Sequence, residues 1–580
     1  MSDELMSETS PMSETDSGPI DAVAASAPTA PGPADGGTPE STGSFTHRQI
    51  LTILAGLMLG MFLAALDQTI VATSIRTIAD DLQGFSLQAW ATTAFLITST
   101  ISTPLYGKLS DIYGRKPFFL AAITIFLFGS ALCGLSQSMY ELAAFRAIQG
   151  LGAGGLFSMA LAIIGDIVPP RERSKYQGYF LAVFGTSSVL GPVVGGLLAG
   201  ADTIGGVAGW RWIFYLNLPI GLAALIVVTK VLHLPAPQRR KPRIDVPGAL
   251  ALVVCLVPLL VIAEQGRIWG WGSGRALVCY AIGLVGLIAF LLIERAFGDD
   301  ALLPLRLMRG RTFAIGSASS LIVGMGMFGA LALLPQYLQI VKGSSPTVGG
   351  LQLLPLVLGI MSGAVVSGQF IARTGRYKRF PVMGTALLVV AALLFSLVGA
   401  ETPLWRTMLV MLLFGVGLGF NMQPIILAVQ NAVSPREMGV ATSSVTFFRQ
   451  MGGTIGTAVF LSVLFSTLTG NIGSSVTDSA RTPAFQQALV EHPEQAAVLR
   501  AGGAGGALQD TSFISSLDDR LALPFRTGFS DSMDLIFLLA AGVLSIGLVT
   551  TSLLPELPLR TESGLQARAA EDSALAAEAA

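Results

Sequence analysis

Three charged side chains lie deep within long apolar stretches of this 580-residue sequence: Asp67, Arg146 and Arg449. An unsolvated charge inside a membrane span costs about 2.5 to 3.5 kcal/mol on insertion scales, so an ionisable residue kept there is a candidate functional group. Asp67 stands nine residues before Arg76, and Arg146 lies about seven residues into its own stretch. At 1.5 Å per residue, both lie roughly 10 to 13 Å below the same membrane surface. The two opposite charges are therefore a candidate pair.

Asp67 is the candidate proton-coupling residue, with Arg146 as its partner. Burial favours the neutral carboxylic acid, whereas a nearby guanidinium favours the carboxylate, so small movements between these environments could load and unload a proton. Asp67 is the one acid well inside a stretch, since Glu264 and Asp166 fall near stretch ends. The alternative is a static buried ion pair that only fixes helix packing.

Arg449 lies 13 residues from Arg436, which places it about 20 Å into its stretch and near the middle of a bilayer. Its partner could be a helix-end carbonyl, a nearby amide or a substrate, and a packing role is the alternative. Polar interruptions of the apolar stretches, with adaptable Met and Phe walls, are the candidate lining of a substrate cavity. The lining candidates are Gln68, Gln336, Asn421, Gln423, Arg449, Met325, Phe328, Phe420 and Met451. Taken singly, each Met or Phe could instead face lipid or the core.

The elements that must position these residues are membrane-spanning helices. Charged residues make up 12 % of the chain and hydrophobic residues 52 %, whereas soluble proteins carry about a quarter charged residues. This composition excludes an ordinary soluble enzyme and predicts an all-α integral membrane protein. About fourteen stretches satisfy the roughly 20-residue length of a helical span. They are 49–75, 87–107, 117–136, 139–165, 173–200, 211–233, 246–265, 275–296, 312–341, 347–372, 380–400, 404–431, 437–467 and 533–555.

Charge in the connecting loops predicts the orientation. With the N-terminus inside, the inner loops hold nineteen basic residues and the short outer loops six, which places both termini in the cytoplasm by the positive-inside rule. The first 46 residues hold eight acids and no base, typical of a disordered tail and not of a signal peptide. The predicted organisation is a disordered cytoplasmic tail at 1–46, a six-helix bundle at 47–235, two inserted helices at 236–300, a second six-helix bundle at 301–556 with an extracytoplasmic loop at about 468–530, and a disordered cytoplasmic tail at 557–580.

An internal repeat supports two parallel bundles. The sequence GKLSDIYGRK at 107–116 recurs as GQFIARTGRY at 368–377, an offset of 261 residues, and PRE at 170–172 recurs at 435–437, an offset of 265. Nearly equal offsets are expected when a polytopic chain arises by duplication. The alternative to a duplication is that the two loops match only because any inner loop favours Gly and Arg.

The first copy of the repeated loop carries charges suited to a gate. Gly107 and Gly114 allow a tight turn, and Asp111, Arg115 and Asp166 could form a cytoplasmic latch that opens during alternating access. Positive charge that merely sets topology explains Arg115 but not Asp111.

A further motif lies in the fifth stretch. Gly191, Pro192, Gly195 and Gly196 predict a kinked, closely packed helix, because proline removes a backbone hydrogen bond and glycine permits close contact.

These motifs together resemble those of a known family. GKLSDIYGRK resembles the loop signature after the second helix in the major facilitator superfamily, RAIQG at 146–150 its fourth-helix motif, and LGPVVGG at 190–196 its fifth-helix antiporter motif. LDQTIV at 66–71, WRWIFYLNLPIG at 210–221 and GGLQLLP at 349–355 are similar to the fourteen-span drug:proton antiporter branch. The resemblance covers roughly residues 48 to 556 and implies a major-facilitator-like fold with two parallel six-helix bundles plus two inserted helices.

The resemblance also implies roles for particular residues. Asp67 is the implied proton site, Arg146 its coupling partner, and the 190–196 motif the export-type bend. The chain departs from the family pattern at Ala72, where Asn is common, and at Ala372, which stands where the first half has Asp111. The second departure implies an asymmetric latch.

Other chemistries are not indicated. All three cysteines fall in apolar stretches and no Walker-type run occurs, so we expect no disulfide framework, metal, cofactor or ATP drive. The histidines offer no catalytic pairing, and the net charge of −1 gives no case for nucleic acid.

The predicted function is proton-coupled antiport that exports amphipathic or hydrophobic compounds, such as drugs and lipophilic cations, across a bacterial inner membrane. We expect a monomer in the lipid bilayer whose partners are protons and small amphipathic substrates. One alternative keeps the fold but exports a lipid or an endogenous metabolite, with the 468–530 loop helping release. The other is a sensor or membrane enzyme that transports nothing.

Overall fold

The computed structural model describes residues 46–83, 88–234, 244–344, 346–496, 514 and 517–579. The predicted tail at 1–46 therefore lies outside the described residues except for Thr46. Part of the predicted loop, at 497–513 and 515–516, also lies outside them.

The first half of the chain folds into helices joined by short connections and one two-stranded hairpin. Long apolar segments become helices because a helix satisfies its backbone hydrogen bonds internally. The elements are α1 (His47–Asp81), α2 (Gln88–Tyr113), α3 (Arg115–Leu135), α4 (Met139–Ile167), α5 (Pro170–Ala199), β1 (Thr203–Ile204), β2 (Val207–Ala208), α6 (Arg211–Tyr215) and α7 (Asn217–Val231). The strands pair antiparallel. We call this half the N bundle.

The second half, which we call the C bundle, follows two further helices that pack against each other, α8 (Val246–Trp269) and α9 (Gly274–Phe297). Helix α8 also contacts α2 and, further along the chain, the helix Met438–Ser479. The elements of the C bundle are α10 (Leu305–Arg309), α11 (Arg311–Gln336), a π-helical turn (Tyr337–Val341), α12 (Pro346–Gln352), α13 (Leu354–Thr374), α14 (Arg379–Phe395), α15 (Leu404–Ala432), a 3₁₀ turn (Pro435–Glu437), α16 (Met438–Ser479), α17 (Pro483–Glu491) and α18 (Asp519–Ser552). Helix α19 (Gly564–Ala579) ends the described chain.

The fold class is all-α and membrane-spanning. Each apolar stretch in the sequence coincides with one or two helices. Within the described residues, twelve segments are long and apolar enough to cross a membrane. The other two stretches correspond to α2 and to α14, a 17-residue helix, so fourteen spans stays a prediction.

Equivalent helix pairs pack closely in the two halves. A Cβ on Gly154 of α4 would lie 2.2 Å from the carbonyl oxygen of Ser99 in α2. In the same way, a Cβ on Gly415 of α15 would lie 2.2 Å from the carbonyl oxygen of Leu356 in α13. Helices α2 and α13 each lead into one copy of the repeated loop, so the related pairs use the same backbone approach. This correspondence supports the duplicated architecture.

Two segments are more ordered than the sequence predicts. Helix α16 continues beyond 467 to Ser479, and α18 begins at Asp519, inside the expected 468–530 loop. The extensions pack on each other, since a Cβ on Gly528 would lie 2.6 Å from the Cα of Ile472. The expectation of disorder at 557–580 is corrected, because α19 forms there and contacts α4. Its individual side chains find partners that composition does not reveal.

The glycine contacts give a stability prediction. Replacing Gly452 of α16 by Ala places a Cβ 1.9 Å from the carbonyl oxygen of Leu321 in α11, so the helices must separate. We expect a loss of about 1 to 3 kcal/mol, as for other overpacked sites, measured as thermal unfolding of purified protein in detergent.

The matched control is Gly473→Ala on the same helix, where a Cβ meets no described atom within 4 Å. It should leave stability unchanged or raise it slightly, because Ala is the better helix former. Equal melting temperatures for the two variants would contradict the close α11–α16 packing.

Candidate functional site

The two charges singled out in the N bundle form a direct ion pair. A guanidinium nitrogen of Arg146 lies 2.5 Å from Oδ2 of Asp67, and the exposed fractions of the two side chains are 1 % and 0 %. Nε of Arg146 also donates to the carbonyl oxygen of Ala91 at 3.3 Å, and the guanidinium lies 4.1 Å from the ring centroid of Phe95. Helices α1, α2 and α4 therefore meet at this pair.

Two amides complete the environment of Asp67. Gln149 donates to Oδ1 at 2.9 Å and Asn217 donates to the same oxygen at 2.7 Å. Both amides also donate to the hydroxyl of Ser130, at 3.2 and 2.9 Å. The side-chain oxygen of Asn217 is buried and has no hydrogen-bond partner in the described part of the chain. The carboxylate thus receives charge-assisted hydrogen bonds from two different helices besides α1.

The candidate set from the sequence did not include Gln149, Asn217 or Ser130 as site residues. Gln149 and Asn217 lie inside motifs that carried the family resemblance, RAIQG and WRWIFYLNLPIG, so a signal was present. Ser130 lies in the apolar helix α3 and gave none.

The predicted latch residues also come together, at the end of the molecule where α2 meets α3. Nη2 of Arg115 lies 2.5 Å from Oδ1 of Asp111, and Nε of Arg115 lies 2.7 Å from Oδ2 of Asp166. All three side chains are buried. Arg115 additionally donates to the hydroxyl of Ser110 at 2.6 Å. We call Asp111, Arg115 and Asp166 the latch, and this end of the molecule the latch end.

The latch binds the C bundle through a helix N-terminus. Asp111 accepts hydrogen bonds from the backbone amides of Gly439 at 3.0 Å and Val440 at 2.7 Å, in the first turn of α16. A carboxylate at this position satisfies amides that lack intrahelical partners and complements the positive end of the helix dipole. A Cβ on Gly107 would lie 2.0 Å from Oγ of Ser443, so glycine is needed where α2 crosses α16. Asp111 of the N bundle is therefore hydrogen-bonded to the backbone of the C bundle.

Further contacts between the bundles involve residues that the sequence did not single out as site candidates. Arg173 of α5 donates to Gln430 of α15 at 2.5 Å, and Gln430 donates to the carbonyl oxygen of Leu161 at 3.3 Å. Nearer the middle of the helices, Thr103 donates to Gln450 at 3.2 Å. These polar contacts between bundles run from the latch end to the level of Thr103.

The cavity candidates of the C bundle separate into two groups. Asn421 is fully buried, accepts from Thr385 at 2.9 Å and donates to the carbonyl oxygen of Gly417 at 2.8 Å, so its amide bonds α14 and its own helix. Phe420 packs edge-on against Phe380 in the core. Arg449, by contrast, is half-buried, and its guanidinium makes no ion pair or hydrogen bond within the described residues.

The remaining candidates lie on several helices. Phe328 of α11 contacts α16, because a Cβ on Gly453 would lie 2.3 Å from its ring. The backbone of Met325 also approaches α16, because a Cβ on Gly456 would lie 2.6 Å from the Cα of Met325. Gln423 is buried on α15. Gln68 on α1, Gln336 at the end of α11 and Met451 on α16 are half-buried.

The fifth-helix motif packs against α1 next to Asp67. A Cβ on Gly191 would lie 2.3 Å from the hydroxyl of Thr69, and one on Gly195 would lie 2.6 Å from that of Thr73. Among the residues that the structure describes, a Cβ on Gly196 would meet nothing within 4 Å, and the side chain of Pro192 lies outside them. The first two glycines therefore permit the α1–α5 contact.

Comparisons with a family model and with individual relatives both point to one transporter family. The family model described as Major Facilitator Superfamily matches residues 57–457. An uncharacterized MFS-type transporter of Mycobacterium tuberculosis is 37 % identical over 87 % of this chain and 70 % of its own. Multidrug resistance protein 3 of Bacillus subtilis is 33 % identical over 89 % and 97 % of the two chains, and multidrug transporter protein MdtP of the same organism is 31 % identical over 91 % and 97 %.

A likeness to solved structures supports the fold. The proton:xylose symporter XylE bound to 6-bromo-6-deoxy-D-glucose superposes with a TM-score of 0.55 at 15 % identity, covering 91 % of this chain and 100 % of that one. At this identity the likeness concerns the fold alone.

The environment of Asp67 yields a stability prediction. Asn217→Ala removes one donor from a fully buried carboxylate, and we expect a loss of about 1 to 3 kcal/mol. Thermal unfolding in detergent measures it.

Asn471→Ala is the control, because Asn471 is half-buried and donates to the hydroxyl of Ser532 at 2.9 Å, with no charged partner among the described residues. Asn471→Ala should lower the free energy of unfolding by less than Asn217→Ala does. A larger loss for Asn471→Ala than for Asn217→Ala would show that Asn217 contributes little to holding the carboxylate.

Proposed function

Because the chain belongs to the major facilitator superfamily, we propose that it is a proton-coupled antiporter that exports amphipathic or hydrophobic compounds, including drugs and lipophilic cations, by alternating access. Members of this family are membrane transporters and not enzymes, which removes the enzyme alternative. The observation that carries the proton-coupling proposal is the fully buried pair of Asp67 and Arg146. Relatives named as multidrug transporters support the proposed cargo.

The pair can couple a proton to a conformational change. Protonating Asp67 removes its negative charge and leaves Arg146 buried without an anion, and breaking a buried pair in this way costs about 3 to 5 kcal/mol. A rearrangement that gives Arg146 another environment then becomes favourable. Asp67 is fully buried here, so the proposed proton exchange requires a state in which water reaches it.

Asn217 can serve both protonation states of Asp67. Its amide nitrogen donates to the carboxylate, while its side-chain oxygen is unpartnered in the described part of the chain. After protonation of Asp67, rotation of this amide would let the oxygen accept the new O–H group. We therefore assign Asn217 as a positioning residue for the proton site.

The latch can close one side of the protein, as alternating access requires. We propose that the latch end faces the cytoplasm, with both termini on that side of a bacterial inner membrane, and that the monomeric protein is closed toward the cytoplasm in this state. Opening that side would break the bonds from Asp111 to α16 and from Arg173 to Gln430. Rocking of the two bundles around a central cavity then exposes the substrate site to each side in turn.

We assign the substrate site to the half-buried residues Gln68, Gln336, Met451 and Arg449, with Gln423, Met325 and Phe328. A mixture of flexible apolar walls and a few amides suits varied substrates. Asn421 and Phe420 stay candidates, although the hydrogen bond of Asn421 and the ring contact of Phe420 within the C bundle make them supports for the lining in this conformation.

A second candidate is export of a lipid or an endogenous metabolite with an acidic group. The observation that favours it is Arg449, whose guanidinium lacks a protein anion in the described residues. A deep cation without an anion is costly, and a carboxylate or phosphate on the substrate would pair with it.

Asp67→Asn should abolish gradient-driven export, because an amide at this position cannot take up and release a proton. Everted vesicles under an imposed pH gradient, assayed for substrate uptake and proton release, measure this loss, expected to exceed tenfold, which is about 1.4 kcal/mol of coupling. Asp299→Asn, at an exposed carboxylate, is the control and should transport normally. Normal gradient-driven uptake by Asp67→Asn would contradict the proton-coupling proposal.

Arg449→Gln separates the two cargo classes. If the substrate carries an acidic group, uptake of anionic amphipaths should fall by about tenfold, the contribution of one hydrogen bond to a charged group, while lipophilic cations are unaffected. If the cargo is cationic, the variant should transport it as well as wild type or better. Arg406→Gln, at an exposed arginine, serves as the control for loss of positive charge.

A further inference from the structure

The chain that follows α18 is fixed to the C bundle at the latch end. Leu554 is fully buried in a cluster with Tyr377, whose hydroxyl donates to the carbonyl oxygen of Pro555 and accepts from the amide of Leu557, both at 2.9 Å. Asn431 donates to the carbonyl oxygen of Pro558 at 2.9 Å. These bonds tie the segment 554–558 to the connection between α13 and α14 and to α15.

The next helix, α19, lies on the N bundle. Leu565 is 9 % exposed and belongs to a core cluster that also contains Ile163 and Ile167 of α4. A Cβ on Gly564 would lie 3.1 Å from the Cα of Asp166. The chain therefore passes from one bundle to the other within a few residues.

Arg568 of α19 bonds both bundles at once. Its Nε donates to the carbonyl oxygen of Pro435 at 2.7 Å, just before α16, and its Nη2 lies 3.3 Å from Asp166 and 3.8 Å from Asp111. The side chain is 18 % exposed. The planar guanidinium suits such a bridge, because its five N–H groups point in fixed directions.

Arg568 also balances the charge of the latch. Asp111 and Asp166 both pair with the single Arg115, which leaves one excess negative charge in a buried cluster. A second cation offsets that charge, and without it like-charge repulsion would weaken the closed latch. Two further cations lie nearby, but the bonds of Arg173 go to Gln430 and to backbone oxygens, and Lys108 donates to the carbonyl oxygen of Asp299.

We propose that α19, through Arg568 and Leu565, is a clamp that stabilises the conformation closed at the latch end and must leave the N bundle whenever that end opens. This inference rests on the proposed alternating access. It assigns a conformational role to a segment whose composition indicates only a solvated tail. Since the 554–558 segment stays bound to the C bundle, opening would break the contacts of Leu565 with α4 and of Arg568 with Asp166.

The test measures opening of the latch end without transport. The reporter is Ser443→Cys, at a side chain that is 1 % exposed and packed against Gly107. Its rate of alkylation by a bulky maleimide reports opening. The protein is the full chain in lipid nanodiscs, with Cys279→Ser in every variant. Arg568→Ala should accelerate alkylation on the order of tenfold, the effect of losing a hydrogen bond to a charged group. Leu565→Ala should accelerate it as well.

Two controls separate a clamp from general loosening. Arg376→Ala removes an exposed arginine from the same end of the C bundle and should leave the rate unchanged. The native Cys133, fully buried beside Gln149, should stay unreactive in all variants. An unchanged rate at position 443 in Arg568→Ala, or a parallel rise at Cys133, would overturn the proposal.

The assay needs neither substrate nor a proton gradient, so its result is independent of the export measurements. Faster alkylation in Arg568→Ala together with no export of any compound would support the clamp and overturn the proposed cargo. Normal export with no change in alkylation would do the reverse.

Discussion

A charge buried in an apolar bundle must find a partner, and the N bundle is organised around that requirement. The carboxylate of Asp67 has no access to solvent, so Arg146, Gln149 and Asn217 supply the hydrogen bonds that water would otherwise make. These donors come from α4 and from the start of α7, and α1 carries the acid itself. The relative positions of the three helices thus depend on one carboxylate, and its protonation alters all of their contacts at once.

The same requirement is met differently at the latch end. There Asp111 bonds the first turn of α16 in the other bundle, so the partner belongs to a unit that can move away. Helix α4 carries both Arg146 and Asp166, twenty residues apart, which is about 30 Å along one continuous helix. A displacement of α4 at the proposed proton site would therefore also move the latch. In the proposed coupling, α4 is therefore the element that connects the two sites.

Much of this arrangement could be predicted from residue types and spacing. Asp67 and Arg146 are expected partners because their depths match in two different stretches, and the structure brings them within 2.5 Å. The sequence also predicts that Asp111, Arg115 and Asp166 lie together, and in the structure they form two ion pairs. Other contacts gave no such signal. Ser130 is one hydroxyl in an apolar helix, and Gln430 binds Arg173 across 257 positions, a pairing that no local pattern encodes.

The sequence by itself determined the helical, membrane-spanning class, the duplication and the identity of the deep charges, because hydrophobic length, motif offsets and the cost of buried charge are properties of local segments. Only the tertiary structure decided which surfaces those charges face. It placed Asn421 in the α14 interface, left Arg449 without an anion among the described residues, and bound α19 across the two bundles. The physical reason is that such outcomes depend on contacts between helices distant in the chain, where the geometry of packing, and not the composition of any one segment, selects the partner.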